Sequence, residues 1–95
     1  FIVRHMTTDR LEAYRKLKAL IHSRFSLMDA LERMYQIASK DGRSPDDTMA
    51  IAISSWMGSI RNGESLSVAL RGWAPDTEIL MLLEELILIM MVIFP

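Results

Sequence analysis

An all-α fold, a small antiparallel bundle of about five helices, is what this 95-residue sequence predicts. Three observations carry it. Apolar residues recur at steps of three and four along the chain, the spacing that gathers them on one helix face. No segment keeps a period-two alternation, and the one Asn-Gly pair ends a helical pattern instead of joining two β-branched runs. Serine, aspartate, proline and glycine stand where helices would start and stop. The length fits one domain, and 51% hydrophobic residues exclude a disordered tail.

The chain opens with Phe-Ile-Val-Arg-His-Met. His5-Met6 is what a common cloning junction encodes, so residues 1–5 are expected to be a cloning remnant and residues 6–95 a single helical-bundle domain. The first helix is placed over roughly 9–22, with Leu11, Tyr14, Leu17, Leu20 and Ile21 inward. Arg10, Glu12, Arg15, Lys16 and Lys18 fill its opposite side, and Asp9 and Glu12 give an acidic first turn. Ser26, with Asp29 three residues on, opens the second helix. Its stripe is Leu27, Ala30, Leu31, Met34, Ile37 and Ala38, and Lys40-Asp41-Gly42 ends it through a left-handed glycine cap. Ser44-Pro45-Asp46-Asp47 reads as a start: Ser44 caps, Pro45 takes the first helical position, and two carboxylates face the positive helix end. The third helix buries Met49, Ala52, Ile53, Trp56, Met57 and Ile60 and stops at Asn62-Gly63. Ser65 begins a short fourth, with Leu66, Ala69 and Leu70 inward and Gly72 closing it. Pro75-Asp76 opens a fifth that runs to the C-terminus.

Charge and composition argue against catalysis. Eleven Lys and Arg against twelve Asp and Glu leave a net charge of −1, with no bulk attraction for nucleic acid. Cysteine is missing and the histidines are two, His5 and His22, so thiolate and imidazole metal chemistry has little to work with. The four glycines are scattered, not clustered into a phosphate loop. His22-Ser23 are adjacent, but residues one apart on a helix do not face each other. Asp46-Asp47 read as capping groups and the eight methionines as adaptable core filling. No catalytic, cofactor or metal residue is assigned, and the chain is expected not to be an enzyme.

Two surfaces remain as candidates. Arg15, Lys18 and Arg24 form a basic side of the first helix that would steer an acidic partner, although such a row is also what an ordinary solvated helix face looks like. From Leu86 to Phe94 every residue is apolar; as a helix this run rises roughly 13 Å, short of a ~30 Å hydrocarbon core. Glu78, Glu84 and Glu85 keep one side wet up to Leu86, and beyond it the helix is greasy all round. Such a segment must be covered. The expectation is a two-fold homodimer built on Leu86, Leu88, Ile89, Val92 and Phe94.

Two stretches carry a resemblance. Leu17-Lys-Ala-Leu20-Ile21-His-Ser-Arg-Phe-Ser26-Leu27-Met-Asp-Ala30-Leu31 and Ile60-Arg-Asn-Gly63-Glu-Ser65-Leu66-Ser-Val-Ala69-Leu70 resemble the paired helix starts of the type II secretion system F family cytoplasmic domain. The likeness covers roughly residues 10–85. That family turns after its first helix on a glycine, where this chain has Arg24, and closes with Gly-Glu-x-x-Gly-x-Leu and a sixth helix, where this chain has Glu84-Glu85 and the apolar run. The resemblance therefore implies a family-type bundle that lacks or alters its last helix. It further implies a non-enzymatic scaffold on the cytoplasmic face of a bacterial inner membrane, held there by transmembrane helices outside this sequence. Its partners would be a cytoplasmic assembly ATPase and other inner-membrane components of a type IV pilus or type II secretion machine, which moves pilin or pseudopilin subunits. A general helical interaction module or adaptor is the alternative.

Overall fold

The computed structural model describes residues 7–94. These form five helices and no strand: α1 (Thr7–His22), α2 (Leu27–Ala38), α3 (Thr48–Arg61), α4 (Leu66–Leu70) and α5 (Asp76–Ile93). The expected cloning remnant at residues 1–5 lies outside the described residues. Each helix packs on the next in the chain, and α5 returns to α1, so the bundle closes into a ring. The closing contact joins Arg10 to Glu78 and Lys18 to Glu85, pairs separated by 68 and 67 residues. Both pairings advance in the same direction, so α1 and α5 run parallel while the short connections reverse their neighbours.

Three chain reversals use one geometry. At the end of α1, Phe25 N–H reaches Leu20 C=O and Arg24 N–H reaches Ile21 C=O, with Arg24 at φ +72°. After α2 the same pair of bonds runs from Asp41 to Gln36 and from Lys40 to Ile37, and after α3 from Glu64 to Ser59 and from Gly63 to Ile60. Each is a Schellman end, which needs a left-handed residue just past the helix. Only the third supplies a glycine there, Gly63 at φ +84°. The glycine cap expected at Gly42 is thus corrected. Lys40 (φ +53°) closes α2, and Gly42 (φ +88°) serves the next turn, donating its N–H to the buried Ser39 Oγ. Gly72 is not in the left-handed region; α4 ends through a turn in which Trp73 and Ala74 N–H share Leu70 C=O.

The serine helix starts follow the sequence in two cases of three, and Pro75-Asp76 opens α5 as expected. Ser26 Oγ accepts from Asp29 N–H at 3.2 Å, and Ser65 Oγ accepts from Val68 N–H at 3.3 Å. For α3 the cap is Asp47, not Ser44: its Oδ1 accepts from Met49 and Ala50 N–H at 3.0 and 3.1 Å. Pro45 consequently lies in the preceding turn, with Asp47 N–H donating to Ser44 C=O. A carboxylate that reaches two orphan donors at the positive end of the helix outcompetes a hydroxyl three residues earlier.

The core runs through all five helices, with Leu17, Leu31, Trp56, Leu70 and Leu82 at its centre. Small residues at Ala30, Ala52 and Ala69 are buried where the elements meet. Trp56 is fully buried, and its indole N–H has no acceptor among the described residues. Two stripe positions are corrected: Leu11 and Ile37, both expected inward, are exposed.

The turn geometry sets an expected outcome for three variants, read as shifts in thermal or urea unfolding. Gly63→Val costs about 1–2 kcal/mol or more, because a β-branched residue resists positive φ. Gly58→Ala, mid-helix with open space where a Cβ would stand, is neutral or gains up to ~1 kcal/mol. Lys40→Gly relieves left-handed backbone and gains about 1 kcal/mol.

Candidate functional site

The site is built on the α1–α5 contact. On α1, positions 10, 14 and 18 are spaced by four and share one side, and on α5 Glu78 and Glu85 are two turns apart on one side. Facing one another, they form a polar seam across the ring closure. Arg10 was expected on the solvated side of α1, and Glu78 on the wet side of α5. Instead Arg10 is 1% exposed and Glu78 11%. The guanidinium holds the carboxylate through Nε to Oε1 at 2.8 Å and Nη2 to Oε2 at 3.0 Å, and Tyr14 Oη donates to Oε1 at 2.6 Å. Such a two-pronged pair is strong and directional.

The three titrations follow from this geometry. Hydrogen bonding to Arg10 holds the Glu78 carboxyl below the usual range, against the cost of its burial. Hydrogen bonding to Glu78 pushes Arg10 up. Burial, then the bond to Glu78, pushes the Tyr14 phenol well above its usual range, so it stays protonated and donating. All three groups are used in holding helices together. None is left as a free acid or base, and the arrangement can fix a register but offers no proton to a substrate.

Along the same seam lies a groove of about 230 Å³ between α1 and α5, with Leu11, Arg15 and Lys18 on one wall and Met81, Leu82 and Glu85 on the other. The three basic residues expected to face a partner take different roles here. Arg15 is exposed at the groove. Lys18 is bound to Glu85 at 3.1 Å. Arg24 stands over the Phe94 ring at 5.9 Å, so the α1–α2 turn meets the end of α5. Their charge is therefore partly spent within the chain.

The apolar end of α5 also divides. Leu86 is corrected from a self-association residue to a core residue, since Ile79, Leu82, Leu86 and Ile93 form the inward stripe. Ile89 packs half-buried against that core. Leu88 (62% exposed), Val92 (72%) and Phe94 face solvent, and Leu80, Met81, Ile87 and Met91 extend this uncovered face along the helix, around the exposed Glu84. Soluble monomers rarely leave a contiguous apolar patch larger than a few hundred Å². Among the described residues no group of acidic or imidazole side chains is placed to hold a metal, and no helix is long and apolar enough to cross a membrane.

The sequence concealed Arg10. A lone arginine among charged neighbours signals solvent, and its burial is visible only once Glu78 is seen opposite. Comparison with family models, with curated proteins and with solved structures yields no match for this chain.

The buried pair sets a pH dependence. Because the folded Glu78 carboxyl is depressed, its contribution is complete above its ordinary value of 4.5 and is lost as pH falls through the depressed one. Thermal melts of the wild type therefore lose stability in acid more steeply than those of Glu78→Gln. At neutral pH Glu78→Ala costs about 3–5 kcal/mol by removing the carboxylate that the buried guanidinium grips through two bonds, whereas Arg10→Met with Glu78→Leu and Tyr14→Phe is far milder. An acid profile for Glu78→Gln identical to that of the wild type would show that the pair does not control the closure.

Proposed function

We propose that this chain is a non-enzymatic scaffold domain that works by binding other proteins. The observation that carries this reading is the uncovered apolar face of α5, a surface that water disfavours and a partner would cover. A second copy of the chain is its occupant, paired through Leu88, Val92 and Phe94 about a two-fold axis.

The finer proposal is a platform-type domain of a type IV pilus or type II secretion machine, at the cytoplasmic face of a bacterial inner membrane, acting between an assembly ATPase and the pilin or pseudopilin subunits. What supports it is the order of local features shared with the family the sequence resembles. Ser26 and Ser65 both cap helices, Gly63 makes the sharp reversal before the second, and Arg24 holds the left-handed backbone where that family carries glycine. The helical adaptor remains the second reading, favoured by α5, whose apolar course to Ile93 replaces the family's closing glycine motif and sixth helix.

Two measurements test these levels separately. In sedimentation velocity at high micromolar concentration the intact chain runs as a dimer, and Leu88→Lys with Val92→Lys runs as a folded monomer with unchanged helical circular dichroism. A wild-type monomer under those conditions removes the self-association. For the finer reading, the chain is titrated with the purified cytoplasmic assembly ATPase encoded beside it or elsewhere in its source genome. Saturable binding, followed by interferometry, is expected; binding to none of the ATPases of either machine leaves the adaptor reading in its place.

A further inference from the structure

On the side of α1 that faces away from α5, a second groove of about 190 Å³ opens between α1 and α3, with α2 as its floor. Asp9, Glu12, Ala13 and Lys16 recur at steps of three and four and lie on the face of α1 opposite to Leu11, Tyr14, Arg15 and Lys18. The groove is thus separate from the seam and from the apolar face of α5.

Its lining has two parts. The inside is apolar: Met34 is buried, Met49 half-buried, and Ile37 stands 61% exposed at the edge, although its stripe position points to the core. Methionine-lined grooves adapt to the side chain they receive. The rim is acidic: Asp9, Glu12 and Asp47 oppose a single cation, Lys16, which makes only a loose 3.9 Å pair with Glu12. The lining therefore carries a net charge of −2, three carboxylates against one ammonium, in a chain whose total is −1. The carboxylates are not gathered tightly enough to ligate a metal. The volume is also below the ~300–1,000 Å³ of pockets that enclose a small molecule. It matches one or two anchoring side chains.

We propose that this groove docks a short basic amphipathic helix, with one large apolar side chain inserted against Met34, Met49 and Ile37 and with flanking Lys or Arg set against Asp9, Glu12 and Asp47. Charge complementarity selects this partner: an acidic or neutral helix would meet repulsion or no guidance at the rim. One anchor from the i, i+3, i+4 face of such a helix fills a groove of this volume, and its neighbours on that face rest along the edge. The inference does not depend on the secretion or pilus reading, and loss of ATPase binding would leave it standing.

The probe is a fluorescent model peptide of about fifteen residues, long enough to form a helix on binding, with Leu at i, i+3, i+4 and i+7 and Lys elsewhere. Two controls carry Glu for every Lys, or the same composition in scrambled order. Anisotropy is expected to give saturable binding of the Lys peptide, with both controls weaker by about tenfold or more. Asp9→Asn with Glu12→Gln weakens binding about fivefold and flattens its salt dependence. Ile37→Ser weakens it about tenfold, and Val68→Ser on α4 leaves it unchanged. All of these positions are exposed, so the variants keep the fold. Equal binding of the scrambled peptide, or no binding of the Lys peptide at submillimolar concentration, overturns the proposal. So does binding that survives Ile37→Ser and the carboxylate changes but is lost in Leu88→Lys with Val92→Lys, which would assign the peptide to α5.

Discussion

Helix α5 is held in place by the guanidinium of Arg10, which lies beneath it, grips both oxygens of Glu78 and shares one of them with Tyr14. Everything between these residues is a succession of neighbours, each helix resting on the one before. Without the closure, α5 would lean on the five residues of α4 alone. The pair also sets register. A helix with apolar residues on most sides can rotate without much change in buried area, and a buried two-pronged ion pair has one geometry in which it is satisfied. With Glu78 against Arg10 and Glu85 against Lys18, the inward positions become Ile79, Leu82, Leu86 and Ile93. The outward ones are then fixed as Leu88, Val92 and their neighbours.

That rotation decides what the surface can do. Glu78 and Glu85 are turned to α1 beside an apolar inward stripe, and further apolar residues are left facing water. A surface helix usually keeps its outer side polar, and the apolar outer side of α5 is the reason for reading this domain as one that works through contact with other proteins. The opposite face of α1 contributes differently, with an acidic rim over an apolar groove. The apolar face of α5 and this groove differ in character and lie on different sides of the domain.

The reversals show a second economy. Three helix ends share the same pair of hydrogen bonds, but two of them place Arg24 and Lys40 in backbone that glycine adopts more easily. At Arg24 the side chain is used, since it reaches over Phe94 and ties the first turn to the last residues described. At Ser39 a buried hydroxyl organises the turn that follows, taking the Gly42 N–H.

The sequence by itself determined the helices. Their number, their order and most of their boundaries were legible because periodicity and capping are local: Ser26, Ser65 and Asn62-Gly63 act within one turn of themselves. The buried faces of α3 and α4 were mostly legible for the same reason, although Met49 and Ile60 are only half-buried and the fully buried Ala50 lay outside the expected stripe. The competition between Ser44 and Asp47 for the α3 cap was also local, and the carboxylate that reaches two backbone donors won it. Tertiary structure decided the burial of Arg10 and Glu78 and the exposure of Leu11 and Ile37. A charged side chain reads as solvated until its partner, 68 residues away, is brought within 3 Å. For α5 the three glutamates read as one wet side, and the face was instead set by α1, which takes Glu78 and Glu85 through two ion pairs that local pattern does not encode.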